Sequence, residues 1–191
     1  MNKENQLSQD LHSYSNYHQI RVKHLILDID LDFVNNIIKG YATLNLEHIS
    51  KADSLILDTR DLKIKSVQNN FGENLNFNLG VAHPIFGSPL SIPVNSNTSW
   101  VKIEYETSPE AAALQWLNPE QTLGKTKPFL FTQSQAILAR TWIPLQDAPA
   151  NRFTYSAKVH TDPGLMVLMS ASNPQSKSPQ GNYEFEMPQA I

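Results

Sequence analysis

Apolar and polar residues alternate with a period of two through most of this chain, a rhythm that fits strands lying half-buried on a sheet. Over residues 25–33 the odd positions are apolar, while Asp28, Asp30 and Asp32 fall on the other face. Asn35 and Asn36 mark a turn, after which Ile38, Gly40, Ala42, Leu44 and Leu46 alternate with Tyr41, Thr43 and Asn45. The pair reads as a β-hairpin. The pattern returns at Val101, Ile103 and Tyr105, at Phe153, Tyr155, Ala157 and Val159, and at Tyr183, Phe185 and Met187. Shorter candidates lie at 54–58, 62–65, 74–79 and 90–92, and residues 165–169 read as a buried run. The count comes to about ten strands with no long amphipathic helix, which predicts an all-β, multi-sheet β-sandwich. Positions 1–20 read as a polar, flexible tail and positions 21–191 as a single domain.

Residues 108–149 break the rhythm. They hold Pro109, Pro119, Pro128, Pro144 and Pro149 together with Trp116 and Trp142. Ser108-Pro109-Glu110 before three alanines predicts a short helix start, with a serine cap, proline at the first position and an acid in the first turn. The remainder predicts a long structured loop, of the sort that serves function or meets another domain.

Composition removes several classes of chemistry. The chain has no cysteine, so disulfides, thiolate metal sites and cysteine nucleophiles are excluded. A formal net charge of −3 disfavours a nucleic-acid partner. No apolar run approaches a membrane span, and the polar start lacks the apolar stretch of a signal peptide, so the cytoplasm is the expected compartment. None of His12, His18, His24, His48, His83 and His160 is spaced i, i+4 from another, and no His-Glu-x-x-His occurs, so no metal ligands are assigned. The row Asp28, Asp30, Asp32, roughly 6–7 Å apart along a strand, reads as a solvated face. Glycine numbers seven, and neither a Gly-x-Ser-x-Gly elbow nor a phosphate-cradling loop is present. Trp100, Trp116 and Trp142 read as core or interface residues, with a sugar-stacking platform as the rival. Gln133-Ser134-Gln135-Ala136, flanked by Phe129 and Phe131, reads either as a set of loop-anchoring amides or as groups presented to a ligand.

The same irregular region carries a resemblance. Residues 105–109 (YETSP), 113–117 (ALQWL), 119–122 (PEQT) and 128–137 (PFLFTQSQAI), then Arg140, Ile143-Pro144 and 146–149 (QDAP), resemble the leukotriene-A4-hydrolase and aminopeptidase-B branch of zinc aminopeptidases, as do residues 55–62 (LILDTRDL) and 165–171. The likeness runs from about Val22 to Met187. It weakens over the first twenty residues and over 69–93.

The resemblance implies a saddle-like all-β N-terminal domain that caps a thermolysin-like catalytic domain, with a helical domain behind. It further implies that zinc and its ligands lie in the catalytic domain, outside this chain, so that the segment alone is inactive. The chain end, YEFEMPQAI, has no polar tail and fits a boundary between domains. Of the implied site residues, Gln133, Ser134, Gln135 and Ala136 form the family's Gln-x-Gln-Ala substrate loop, in which Gln135 holds the N-terminal residue of a peptide. The implied partners are that peptide and the parent's own catalytic domain. A free-standing carbohydrate- or protein-binding β-sandwich module is the alternative.

Overall fold

The computed structural model describes residues 10–191; the first nine positions of the expected tail lie outside the described residues. In chain order the strands are β1 (Ile20–Asp32), β2 (Ile37–His48), β3 (Ser54–Thr59), β4 (Lys63–Asn69), β5 (Asn78–Leu79), β6 (Ser88–Pro93), β7 (Trp100–Glu106), β8 (Leu114–Leu117), β9 (Phe129–Thr132), β10 (Thr154–His160) and β11 (Asn182–Met187). Two 3-10 turns, Pro119–Gln121 and Ala139–Thr141, are the only helical pieces among the described residues.

The strands form three sheets: β11-β10-β1-β2-β7-β4, β3-β6-β5 and β8-β9. The pair β1 and β10 is parallel, and the other pairings are antiparallel. Register follows the alternation. Leu25 faces Leu44 and Leu27 faces Ala42, while Ala42 also faces Ile103 on β7. Leu55 and Leu57 of β3 and Leu90 and Ile92 of β6 belong to the same buried cluster as these residues, so the two larger sheets share one core. The fold is multi-sheet and all-β, as the alternation predicts.

Strand β1 contains a bulge between Val22 and His24. One extra residue inverts the facing. Ile20 and Val22 therefore point inward at even positions, and Leu25, Leu27 and Ile29 at odd ones. The hairpin turn after β1 is held by Asp32, whose carboxylate accepts the N–H groups of Val34 (3.1 Å) and Asn35 (3.0 Å) and the Asn35 side chain (2.9 Å). Asn36 adopts φ 55°, a conformation that asparagine tolerates.

Three expectations are corrected. The flexible tail does not extend to position 20: Ser13, Ser15, Asn16 and Tyr17 are buried. Asn16 donates to the Ser54 carbonyl (2.8 Å) and accepts from the Ile56 N–H (2.9 Å), so a side-chain amide pairs with the edge of β3 as a strand would. No helix starts at Ser108. The chain makes two successive turns, Ala111 N–H to Ser108 O and Leu114 N–H to Ala111 O, and the Thr141 hydroxyl takes the Ala113 N–H at 3.1 Å. Residues 165–169 form no strand and are not buried through: Val167 and Met169 pack on the core, while Met166 and Leu168 are exposed.

Candidate functional site

The irregular region is built around β8 and β9, in register from Leu114–Thr132 to Leu117–Phe129. One further bond, Gln133 N–H to Ala113 O (2.9 Å), prolongs this ladder to the foot of the candidate loop. Phe129 and Phe131 share one side of β9, and both are exposed. On β8, Trp116 packs edge-on against Phe33, with ring centroids 5.1 Å apart.

Beyond β9 the chain turns through Gln133, Ser134, Gln135 and Ala136. The Gln133 side-chain carbonyl accepts the Gln135 backbone N–H at 3.2 Å. The Ser134 carbonyl accepts the Leu138 N–H at 2.8 Å, and its hydroxyl accepts the Trp142 indole N–H at 3.1 Å. Ser134 is accordingly half-buried, while Gln133, Gln135 and Ala136 are exposed. The Gln135–Ala136 peptide is cis. Among the described residues the Gln135 side-chain amide has no partner, so its carbonyl and NH2 face solvent free to bind. Two of the four candidates therefore shape the loop, one is exposed without a polar side chain, and Gln135 alone presents an amide with neither its carbonyl nor its NH2 engaged.

The base of the loop is a buried ionic cluster to which sequence reasoning gave no role. Arg140, in the second 3-10 turn, is fully buried. Its Nε donates to Asp147 Oδ2 (2.9 Å), Nη2 to the Asp147 carbonyl (3.1 Å) and Nη1 to the Phe86 carbonyl (3.0 Å). Asp58 Oδ1 lies 3.7 Å from Nη1. Asp58, also fully buried, accepts the Ser13 hydroxyl (2.6 Å) and the backbone N–H groups of Tyr14 (2.7 Å) and Asp147 (3.0 Å). Burial pushes the Asp58 carboxyl above the usual carboxylate range, against the pull of Ser13 and Arg140. Arg140, Asp58 and Asp147 all fall within the motifs of the family resemblance, but nothing in their spacing signals that they meet. Gln146 is a second buried amide: it donates to the Ile20 carbonyl (2.8 Å) and accepts from the Val22 N–H (3.0 Å), filling the edge of β1 ahead of its pairing with β10.

The remaining candidates are accounted for by local contacts. His24 bonds Thr154 and Ser156, and His48 bonds the Thr98 carbonyl. His160 lies between Asn182 (2.9 Å) and Asp28 (3.1 Å), which together raise its pKa above the ordinary value. Among the described residues no three His, Asp or Glu converge on a point that could hold a metal ion, so the residues present do not fit a zinc centre. None of the three tryptophans is exposed as a stacking platform; Trp116 and Trp142 pack on the core. No helix among the described residues is long and apolar enough to cross a membrane.

The family model of the peptidase M1 N-terminal domain matches residues 13–189. The chain belongs to the peptidase M1 N-terminal domain family. Its match begins at Ser13, the first residue of the segment bound to Asp58. Among curated proteins, leukotriene A-4 hydrolase of Xenopus laevis is 40% identical over 168 residues, covering 85% of this chain and 27% of that protein. Leucine aminopeptidase 2 of Yarrowia lipolytica is 36% identical over 179 residues, covering 92% of this chain and 27% of that protein. This M1 N-terminal domain thus spans about a quarter of the length of the relatives it matches. Among solved structures, yeast LTA4 hydrolase in complex with bestatin superposes with a TM-score of 0.89 at 30% identity, covering all of this chain and 30% of that one. An M1 zinc metallopeptidase from Deinococcus radiodurans, at 13% identity and a TM-score of 0.64, shares the fold.

Proposed function

We propose that this M1 N-terminal domain caps the active site of a zinc metalloaminopeptidase, a cytoplasmic enzyme that removes N-terminal residues from peptides, and that Gln135 binds the substrate's N-terminal residue. The observation that carries the reading is the exposed, unpartnered amide of Gln135 on a loop held by the bonds of Gln133 and Ser134. A glutamine carbonyl accepts from a peptide ammonium, and its NH2 donates to a carbonyl, so one side chain can hold both ends of an N-terminal residue. Fixing that residue sets the distance between the scissile bond and the chemistry. Gln133 and Ser134 keep the loop's shape, and Ala136 leaves space beside Gln135.

Zinc-activated water and a glutamate general base are assigned to residues of the parent protein outside this chain, since those described here do not fit a zinc site. The 191-residue chain alone is therefore expected to hydrolyse nothing. Within the parent, its own catalytic portion is the partner that the loop faces.

The test is Gln135→Ala in the full-length enzyme. Losing a hydrogen bond to a charged group is worth about 1.5–3 kcal/mol, so kcat/KM for aminoacyl anilides should fall roughly 10- to 150-fold. Gln135 is exposed, so stability should change by less than about 0.5 kcal/mol. An unchanged kcat/KM would remove Gln135 from the substrate site.

A further inference from the structure

We propose that Asp58, Arg140 and Asp147 form the positioning unit of the Gln133–Ala136 loop, holding the Gln135 amide at the place where it meets substrate; this rests on the substrate role given to Gln135 above.

Arg140 follows Gln135 by five residues, and the intervening chain is tightly tied. Leu138 N–H bonds Ser134 O, the Thr141 hydroxyl bonds Leu138 O (2.7 Å), and the Trp142 indole returns to Ser134. A rotation or shift of Arg140 is therefore passed to Ser134 and Gln135 with little slack. Arg140 itself is clamped from three sides. Its side chain reaches the Phe86 carbonyl, both the carboxylate and the carbonyl of Asp147, and the Asp58 carboxylate. Its own carbonyl accepts the Arg60 N–H at 2.8 Å. Asp58 in turn gathers Ser13, Tyr14 and Asp147. Strand β3, the turn at 86 and the loop thus meet at one guanidinium, and Asp58 ties the segment at 13–14 to the same cluster.

The choice of chemistry supports a positioning role. Well-packed apolar residues hold a buried junction as firmly as an ion pair, often more firmly, because desolvating charges is unfavourable. Apolar packing, however, leaves a turn free to settle by small rotations. A planar guanidinium bonded at Nε, Nη1 and Nη2 fixes direction as well as distance. Direction is what a substrate-binding amide needs, since misplacement by about 1 Å can lower a rate roughly 100-fold.

The test uses the full-length enzyme with Asp147→Asn, near-isosteric but uncharged. Hydrogen exchange, read by mass spectrometry on the peptide spanning 133–142, should accelerate about tenfold, while peptides from β1 and β2 keep their rates. The kcat/KM should fall about tenfold, and in a Gln135→Ala background the same substitution should lower it less than twofold. Additive losses in the two backgrounds, or unchanged exchange at 133–142, overturn the proposal. If Gln135→Ala alone leaves kcat/KM unchanged while Asp147→Asn still speeds exchange, the substrate assignment fails and the anchoring of the loop stands. Should Asp147→Asn fail to fold, Ser13→Ala, which removes one donor from Asp58, carries the same measurements, with exchange rising about threefold and any kinetic loss confined to enzyme that retains Gln135.

Discussion

Gly40 lies in the middle of β2, opposite Ile29 of β1 and Tyr105 of β7, so backbone neighbours it on both sides. Its φ is +144°, and a Cβ there would stand 2.2 Å from the Asp28 carbonyl oxygen and 2.9 Å from the Ile29 Cα. Both obstacles are backbone of the strand that β2 and β10 grip from either side, so neither can swing away. Gly40→Ala therefore combines a backbone conformation that costs an L-residue about 1–3 kcal/mol with overpacking of about 1–3 kcal/mol. The reduced freedom of the unfolded chain returns about 0.4–1 kcal/mol. The net loss is roughly 1–6 kcal/mol, or a midpoint lowered by about 2–22 °C for a chain of this size.

Gly72 is the internal control. Its φ is +78°, but an added Cβ meets nothing within 4 Å. Gly72→Ala meets conformational strain of about 1–2 kcal/mol, offset only in part by the same entropy gain. Guanidinium unfolding of both variants measures the difference, expected to be about 1–3 kcal/mol at constant m-value, the overpacking that only Gly40→Ala incurs. Equal losses would refute the argument, because the two positions differ chiefly in what a Cβ would strike.

Arg140→Met leaves the Asp58 carboxylate buried beside Asp147 without its counter-charge and should destabilise by about 3–5 kcal/mol in the same assay. By contrast Lys23→Met, which breaks an exposed pair with Glu47 at 3.8 Å, should change stability by less than about 0.5 kcal/mol. Asp32 has its pKa lowered from 3.8 to about 2, first by the Asn35 side chain, then by the Asn35 backbone and Lys39. A depressed folded-state pKa stabilises above the unfolded value and is lost as the pH falls through the folded one. Asp32→Ala should therefore flatten the acid limb of the stability profile between about pH 4 and 2; an unchanged slope in acid-unfolding melts would show that the turn carries no such linkage.

Strands β1, β2, β7, β10 and β11 were legible in the sequence because a period of two is a local property: the side chains of one strand declare its facing whatever the partner. The hairpin at Asn35-Asn36 was legible for the same reason. A substrate role for the loop at 133–136 is suggested only by its resemblance to known aminopeptidases, since two amides in a loop have no distinctive spacing. The short β5 fell inside the expected strand at 74–79, but only Asn78 and Leu79 form a strand, beside β6, while Asn74 makes a single bridge to Gln68 of β4.

What the tertiary structure decided is where distant polar groups meet. Ser13 and Asn16 looked like tail residues because polar side chains ordinarily belong in water. They are buried because Asp58 and the edge of β3 satisfy them, and nothing near them in sequence announces it. Residues 109–113 have the start of a helix, yet Thr141 takes the Ala113 N–H and β8 follows at once. Asp58 and Arg140 stand 82 positions apart, and the parallel pairing of β1 with β10 joins residues 130 positions apart, as in His24 with Thr154. Alternation specifies which face of a strand is buried. Pairing order, the bulge at Val22–His24 and the charge cluster beneath the loop depend on what arrives from elsewhere in the chain, because a buried hydrogen bond is worth forming only when both partners leave water together.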